Sequence, residues 1–375
     1  MIKTRLDSES ISPPLECGGE TPRILIIQQK MIGDVLVSSL ICENLKKNYP
    51  NSEIHYLINR FTMPVIENNP HIDEIIVFEE LYKSNKIEFF KFLKDIKKSR
   101  YDIVIDAYGK LESNLITLSS GAKTKISWKK SHTRFIYTHL FKNSTKPKTN
   151  AGIAIEDRLK LLTPFNLKLP LITRPKIYLT DTEISKARGL LKRSKINMTK
   201  PLYMVSVLGS SSIKSYPFEY MAIVMDYIIE STDAQLLFNY VPNQKEEVLD
   251  IYNLCKKQTQ EQIFIEIKPN SIREFLAMTS SCDALIGNEG GAVNMAKAIQ
   301  IPTFTIFSPW IDKKVWSSFE DGNQNISIHL NELIPDYYSG KKFKNLKAKS
   351  LELYRKLSPD KVIKKLDRFL LNIKE

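Results

Sequence analysis

The chain has few of the residues from which metal and disulfide sites are built. Its four cysteines, Cys17, Cys42, Cys255 and Cys282, lie far apart, and no CxxC pair occurs. Neither structural zinc nor a disulfide framework is expected, and the thiols are read as reduced and mostly buried. The five histidines, His55, His71, His132, His139 and His329, lack ligand spacing, so no metal site is expected. No apolar run approaches the length that spans a bilayer. The first twenty residues hold Pro13-Pro14 and Gly18-Gly19 but no apolar stretch of the signal-peptide kind. They read as a flexible leader and the protein as cytoplasmic. No GxGxxG follows the first apolar run, where Gln28-Gln29-Lys30-Met31-Ile32-Gly33 stands, and no GxxxxGK-type phosphate loop occurs. Solenoid-length repeats and long low-complexity segments are absent too.

What is present suits a globular chain of two domains: 375 residues, 42% hydrophobic, 10% aromatic and 26% charged. The formal charge of +13 attracts polyanions such as nucleic acid, anionic lipid or phosphorylated sugars. Lys123–Lys148 holds eight Lys or Arg and no acid, interleaved with Trp128, Phe135, Tyr137 and Phe141. Lys341–Glu375 holds twelve Lys or Arg against four acids. Solvated faces of a lysine-rich protein explain such runs as well as a ligand does.

The first half alternates apolar strand-like runs (23–29, 53–58, 74–78, 102–107) with segments of helical period (34–48, 60–68, 85–99). The second half repeats the pattern. Strands are expected at 202–208, 235–240, 263–267, 284–287 and 303–307, and helices at 217–230, 244–257, 271–280 and 292–299. Continuous apolar strands alternating with helices imply parallel sheets covered on both faces. The expected architecture is α/β, two tandem Rossmann-like doubly wound domains. The boundaries read as a leader at 1–21, an N-terminal domain at 22–170, a C-terminal domain at 171–355 and an amphipathic helix at 356–375. That helix opens with Ser358 as N-cap and Pro359 as its first residue. It could pack on either domain, including back on the N-terminal one.

Ligands of such sheets bind beyond the carboxyl ends of strands, and four loops there stand out. Gly33-Asp34 follows the first strand. Glycine permits an unusual backbone turn, and the aspartate is either a helix cap or a base. In the stretch from Val207 to Met221, Gly209, Ser210, Ser211 and Ser212 expose N–H groups and hydroxyls, and Lys214 supplies a point charge, a combination that suits a diphosphate. In the stretch from Leu285 to Ile299, Gly290-Gly291 open a helix whose first N–H groups favour an anion, while Glu289 fits a sugar hydroxyl or a base better. In the stretch from Phe238 to Val248, Asn239, Tyr240, Asn243 and Gln244 could bond a base or sugar, or form a plain turn.

Together these loops resemble the heptosyltransferase family of glycosyltransferases, which build the lipopolysaccharide core. The resemblance runs from about Arg23 to about Leu370. RILIIQQKMIGDVLVSSL is similar to the family's opening strand, its (M/I)GD turn and its first helix, and NNPHIDEIIVF to the next helix-to-strand segment. VSVLGSSSIKSYPFEYMAIV resembles the phosphate loop, and DALIGNEGGAVNMAKAIQIPTFTIFSP the donor strand, loop and helix. SPDKVIKKLDRFL is similar to the final helix. The resemblance implies the GT-B fold, two Rossmann-like domains facing across a cleft.

It further implies Asp34 as catalytic base of an inverting, metal-independent transfer from a nucleoside-diphosphate sugar, with no cofactor beyond that co-substrate. Ser210, Ser211, Ser212, Lys214, Glu289, Gly290, Gly291 and Asn294 would hold the donor diphosphate and sugar. Asn239, Tyr240 and Gln244 would meet the nucleotide's base or ribose. The acceptor would be a lipopolysaccharide-core or other envelope glycolipid, met by Gly33, Lys130 and Arg134 in the N-terminal domain. Peripheral contact with the anionic inner-membrane surface would follow. Three positions depart from the family. Glu289-Gly290-Gly291 stands where Asp-Thr-Gly is common, Asn294 where a histidine is, and Ser308-Pro309-Trp310 where Gly-Pro-Thr is usual. The lost hydroxyl and imidazole point to a donor other than ADP-heptose or to weakened activity. Competing readings are a nucleotide-sugar epimerase or dehydrogenase, a degenerate member that binds an envelope glycan or partner enzyme, and a nucleic-acid binder, the last of which leaves the paired domains unexplained.

Overall fold

Two all-parallel sheets carry the architecture. In the first, β1 (Arg23–Ile27), β2 (Glu53–Asn59), β3 (Glu74–Phe78), β4 (Ile103–Asp106), β5 (Thr124–Trp128) and β6 (His139–Phe141) lie in the order β3-β2-β1-β4-β5-β6. In the second, β7 (Leu202–Ser206), β8 (Gln235–Phe238), β9 (Ala284–Asn288), β10 (Thr303–Ile306) and β11 (Asn325–Ile328) lie in the order β11-β10-β9-β7-β8. The computed structural model describes residues 21–374. The expected leader, Thr21 apart, and Cys17 lie outside those residues. Helices flank both sheets, as the alternating pattern requires.

Burial follows the sequence pattern. Ile24, Leu25, Ile26 and Ile27 of central β1 have no exposed surface, whereas β3 and β6 at the edges stay partly exposed. β5, β6 and β11 were not anticipated. They are short and carry Thr, Lys, Ser, His and Asn, so they lack the apolar run that marks a central strand. The strand expected at 263–267 is reduced to one parallel bridge, Leu236 with Ile263, beside β8. The helix expected at 60–68 is a 3-10 turn, Arg60–Val65, with Pro64 inside it. Proline removes an N–H and disfavours a longer α-helix.

Two compact units result. One comprises residues up to Thr145 together with Ala154–Pro175; the other comprises Lys146–Ile153 and the chain from Lys176 on. Within the first, Asn44 on the long helix Ile32–Asn48 reads the extended segment after the last turn of that unit. Its amide donates to the Ile172 carbonyl at 2.9 Å and accepts from the Ile172 N–H at 2.8 Å.

The terminal helix Pro359–Asn372 belongs to the second unit's core. Val362, Leu366, Phe369 and Leu370 are buried there, Phe369 lies against Phe304, and Tyr227 on the helix Phe218–Thr232 donates to Asp367 at 2.6 Å. Its apolar stripe matches the second unit's own core. Cys42, Cys255 and Cys282 are free and buried, and burial pushes the Cys255 thiol up to about 12.

Candidate active site

Sheet order locates the candidate sites before any side chain is considered. In the first sheet the order reverses between β1 and β4, and in the second between β7 and β9. Crevices beyond the carboxyl ends of such a pair are where open α/β sheets bind ligands. Asp34 follows β1. The Gly209–Lys214 loop follows β7, and Glu289-Gly290-Gly291 follows β9. Each loop picked from the sequence for a charge or a glycine therefore leaves a strand at a reversal point.

In the first unit, Met31 is the N-cap of the helix Ile32–Asn48, and Asp34 is its third residue. Its Oδ2 accepts the Met31 N–H at 3.4 Å, a long contact that caps only weakly. The stronger partner is Arg158, whose Nη2 donates to Asp34 Oδ1 and whose Nε reaches Ser38 Oγ at 3.4 Å. Both side chains are mostly buried, at 22% exposure for Asp34 and 14% for Arg158. Sequence reasoning missed Arg158. It sits on the helix Ile153–Lys160, more than a hundred residues from its partner, and nothing local marks it. Gly33 corrects the expected turn: it is buried inside the helix's first turn and is not among the positive-φ glycines.

At the end of β4, burial pushes the Asp106 carboxyl up, against hydrogen bonds that favour its charged form. Its Oδ1 accepts the Tyr108 and Gly109 N–H groups at 3.0 and 2.7 Å, and Tyr137 donates to Oδ2 at 2.5 Å. Tyr137 and Trp128, two aromatics of the basic segment, are thus core residues rather than ligand-facing ones, and Trp128 donates to the Ala107 carbonyl at 2.8 Å. Phe135 differs, at 79% exposure, beside exposed Arg134. Lys130 is turned onto its own unit, with Nζ on the Gly109 carbonyl.

In the second unit the loop after β7 is held tightly. A Cβ on Gly209 would meet the Lys214 carbonyl oxygen at 2.3 Å, so the loop closes only over glycine. Ser215 Oγ accepts the Gly209 N–H at 2.9 Å and donates to the Ser211 carbonyl at 3.1 Å. The Ile213 carbonyl receives Ser308 Oγ at 2.9 Å, Ser350 Oγ at 2.6 Å and Trp310 Nε1 at 3.2 Å. Buried Asn288, at the end of β9, completes the clamp: it accepts the Tyr216 N–H at 2.7 Å and donates to the Ser206 and Val207 carbonyls at 3.0 and 2.9 Å. Sequence reasoning passed over Asn288, although a polar residue ending a buried strand is a usable signal.

Those bonds leave Ser210, Ser211 and Ser212 exposed and place Lys214 Nζ 3.1 Å from Glu289 Oε1. That pair is an ion contact without an aligned hydrogen bond to Oε1. Gly290 is extended and caps the helix Gly291–Ala298, and a Cβ there would meet nothing within 4 Å. The fold has no steric need of glycine at 290, so the open space is available to a ligand. Asn294 lies half-buried on the same helix.

Of the residues expected near a nucleotide base, Tyr240 is buried and donates to the Ile265 carbonyl at 3.2 Å. Gln244 donates to the Gly209 carbonyl at 2.9 Å and accepts the Val241 N–H at 3.2 Å, so it braces the loop after β7. Asn239 is half-buried where β8 ends, its N–H on the Val205 carbonyl at 2.9 Å. A cavity of about 380 Å³ elsewhere in this unit is lined by Lys313, Glu320, His329 and Glu332 among others. Within it Lys313 pairs with Glu320 at 2.9 Å and with Glu332 at 2.6 Å, and none of the loop residues above lines it.

Residues 89–345 match the family model of glycosyltransferase family 9 (heptosyltransferase). The chain belongs to that family. It is accordingly a glycosyltransferase. Lipopolysaccharide heptosyltransferase 1 of Campylobacter coli is 24% identical over 295 residues, 76% of this chain and 83% of the relative. Lipopolysaccharide heptosyltransferase 3 of Escherichia coli is 28% identical over 148 residues, 36% of this chain and 40% of the relative. Among solved structures, the glycosyl transferase family 9 protein from Veillonella parvula DSM 2008 superposes with a TM-score of 0.74 at 18% identity, covering 93% of this chain and 97% of that one. The E. coli ADP-heptose lps heptosyltransferase II gives 0.70 at 16% identity, covering 94% and 100%. These likenesses agree with the α/β GT-B type fold of two parallel sheets.

Proposed function

We propose that this family 9 enzyme is an inverting glycosyltransferase moving a heptose or related sugar from a nucleoside-diphosphate sugar to a lipopolysaccharide-core or other envelope glycolipid. The first unit takes the acceptor and the second the sugar nucleotide. Asp34 accepts the proton of the acceptor hydroxyl as its oxygen attacks the anomeric carbon. The bond from that carbon to the diphosphate breaks, and the diphosphate leaves with the electron pair. Lys214 and the N–H groups at Gly290 and Gly291 stabilise it, so the chain's own cations and dipoles carry the leaving group without a metal. Arg158 orients the Asp34 carboxylate. ADP-heptose is one such donor; the solved E. coli heptosyltransferase WaaC holds an ADP-2-deoxy-2-fluoro heptose. The net charge of +13 and the exposed Arg134-Phe135 pair support peripheral contact with an anionic membrane that presents the acceptor.

The observation that carries this reading is the coincidence of Asp34, Lys214 and Gly290 with the reversal points of the two sheets. The test is a thermal-shift screen against ADP-, GDP- and UDP-sugars, with Lys214→Ala and Asp34→Asn. One nucleotide class should raise Tm in the wild type and not in Lys214→Ala. Asp34→Asn should keep the shift and lose transfer by about 10²- to 10⁴-fold. No shift with any of the three would sink the donor site and leave a degenerate glycan-binding protein, with Asp34 only a helix-end charge.

A further inference from the structure

Lys214 is already paired. Its Nζ lies 3.1 Å from Glu289 Oε1, so one carboxylate offsets the one cation that the sequence assigned to the diphosphate. Each phosphate of a diphosphate carries its own negative charge. A site with Lys214 alone would be short of a cation, and the loop after β9, Glu289-Gly290-Gly291, brings none of its own.

A second cation reaches the indole ring that Lys214 also reaches. Trp310 stands after β10 and donates its indole N–H to the Ile213 carbonyl, the residue before Lys214. Lys214 Nζ lies 5.6 Å from the Trp310 ring centroid and Lys347 Nζ lies 5.5 Å from it. Both distances are within the range at which a ring's negative face attracts a cation. Lys347 is not there by the freedom of a loose loop. Its neighbour Leu346 is buried in the second unit's core, and Ser350 just beyond it donates to the same Ile213 carbonyl at 2.6 Å. The Lys347 side chain itself is exposed. Like charges gathered on one ring repel, so the arrangement favours an anion that both can share.

We propose that Lys347 is the second cation of the donor diphosphate site, with Trp310 as the platform that holds Lys214 and Lys347 for the two phosphates. This rests on the donor site proposed above. It makes Lys347 and Trp310 determinants of diphosphate recognition.

The test is titration calorimetry of the full chain with ADP, GDP and UDP, and with adenosine, guanosine and uridine, at two salt concentrations. The variants are Lys214→Ala, Lys347→Ala, Lys347→Arg, Trp310→Leu and the double variant Trp310→Leu/Lys347→Ala. Lys347→Ala should weaken the bound nucleoside diphosphate five- to tenfold, flatten its salt dependence and leave any nucleoside binding unchanged. Lys347→Arg should restore most of the loss. In the Trp310→Leu background, removing Lys347 should cost less than it does in the wild type, since the platform is already gone. Wild-type-like diphosphate binding by Lys347→Ala, while Lys214→Ala has lost it, would overturn the role of Lys347 and leave the donor site standing. Equal weakening of nucleoside and nucleoside diphosphate would also overturn it, because the residue would then act on the fold. No binding of any nucleoside diphosphate by the wild type would remove the donor site and this inference together.

Discussion

Asp34 shows why a single position read from sequence stays ambiguous. An aspartate in the first turn of a helix is expected for capping alone, and its bond to the Met31 N–H is too long to account for the residue. Arg158 makes the difference, and Arg158 is visible only after folding. Arg158→Gln should lower kcat by about 100-fold while donor affinity stays put, because a carboxylate freed to rotate loses its attack geometry. Steady-state kinetics beside calorimetry separates the two. An unchanged kcat would return Arg158 to a structural role. Two glycines make a paired prediction. Gly209→Ala would drive a methyl into the Lys214 carbonyl, so it should destabilise by about 1–3 kcal/mol and weaken nucleotide binding. Gly290→Ala has room, so Tm should hold while nucleotide affinity falls. Intact affinity in Gly290→Ala would mean that no phosphate comes close to that position.

Among the elements, the helix Asp181–Arg193 went unassigned from sequence, although Thr180 and Glu183 form a capping box at its start. Glu183 accepts the Thr180 N–H at 2.8 Å and is held by Arg273 Nε at 2.7 Å and Nη2 at 2.6 Å. Those bonds tie this helix to the helix Ile272–Thr279. The Arg273 guanidinium first, then the Thr180 bonds, hold the Glu183 carboxyl down at about 2 against the opposing effect of burial. A depressed carboxyl contributes stability that is full above its unfolded value of about 4.3 and is lost as pH falls through about 2. Glu183→Gln should therefore cost about 2 kcal/mol at pH 7. Its Tm deficit should shrink as thermal melts move from pH 5 towards pH 2. A deficit that does not change with pH would mean that the carboxylate charge is not what joins the helices.

For the whole molecule, the charge of +13 is a property of composition, but its use depends on which groups face water. Trp128 and Tyr137 are core residues, which leaves Phe135 as the exposed aromatic of the basic segment, beside Arg134, one of several exposed cations there. Cosedimentation with vesicles containing anionic lipid should fall for Arg134→Ala/Phe135→Ala, by roughly fivefold for the lost cation alone at about 1 kcal/mol. Binding should also weaken as salt rises, because exposed charges are screened. Equal binding to neutral vesicles would show that the charge plays no part.

The central strands were legible because a strand buried on both faces must be a continuous apolar run, as Ile24–Ile27 and Leu202–Val205 are. The alternation of those runs with helical segments, and the glycines and charges in the loops between, needed no more than local chemistry to be noticed. The short strands β5, β6 and β11 escaped, since three to five residues interrupted by Thr, Lys, Ser, His or Asn make no continuous apolar run. So did several partners that lie far along the chain: Arg158 for Asp34, Asn288 for the loop after β7, Trp310 and Lys347 for Lys214. Hydrogen bonds and ion pairs act over a few ångströms of space and take no account of distance in sequence. Local pattern thus determined where the chain would present chemistry, and tertiary packing decided which charges stand together there.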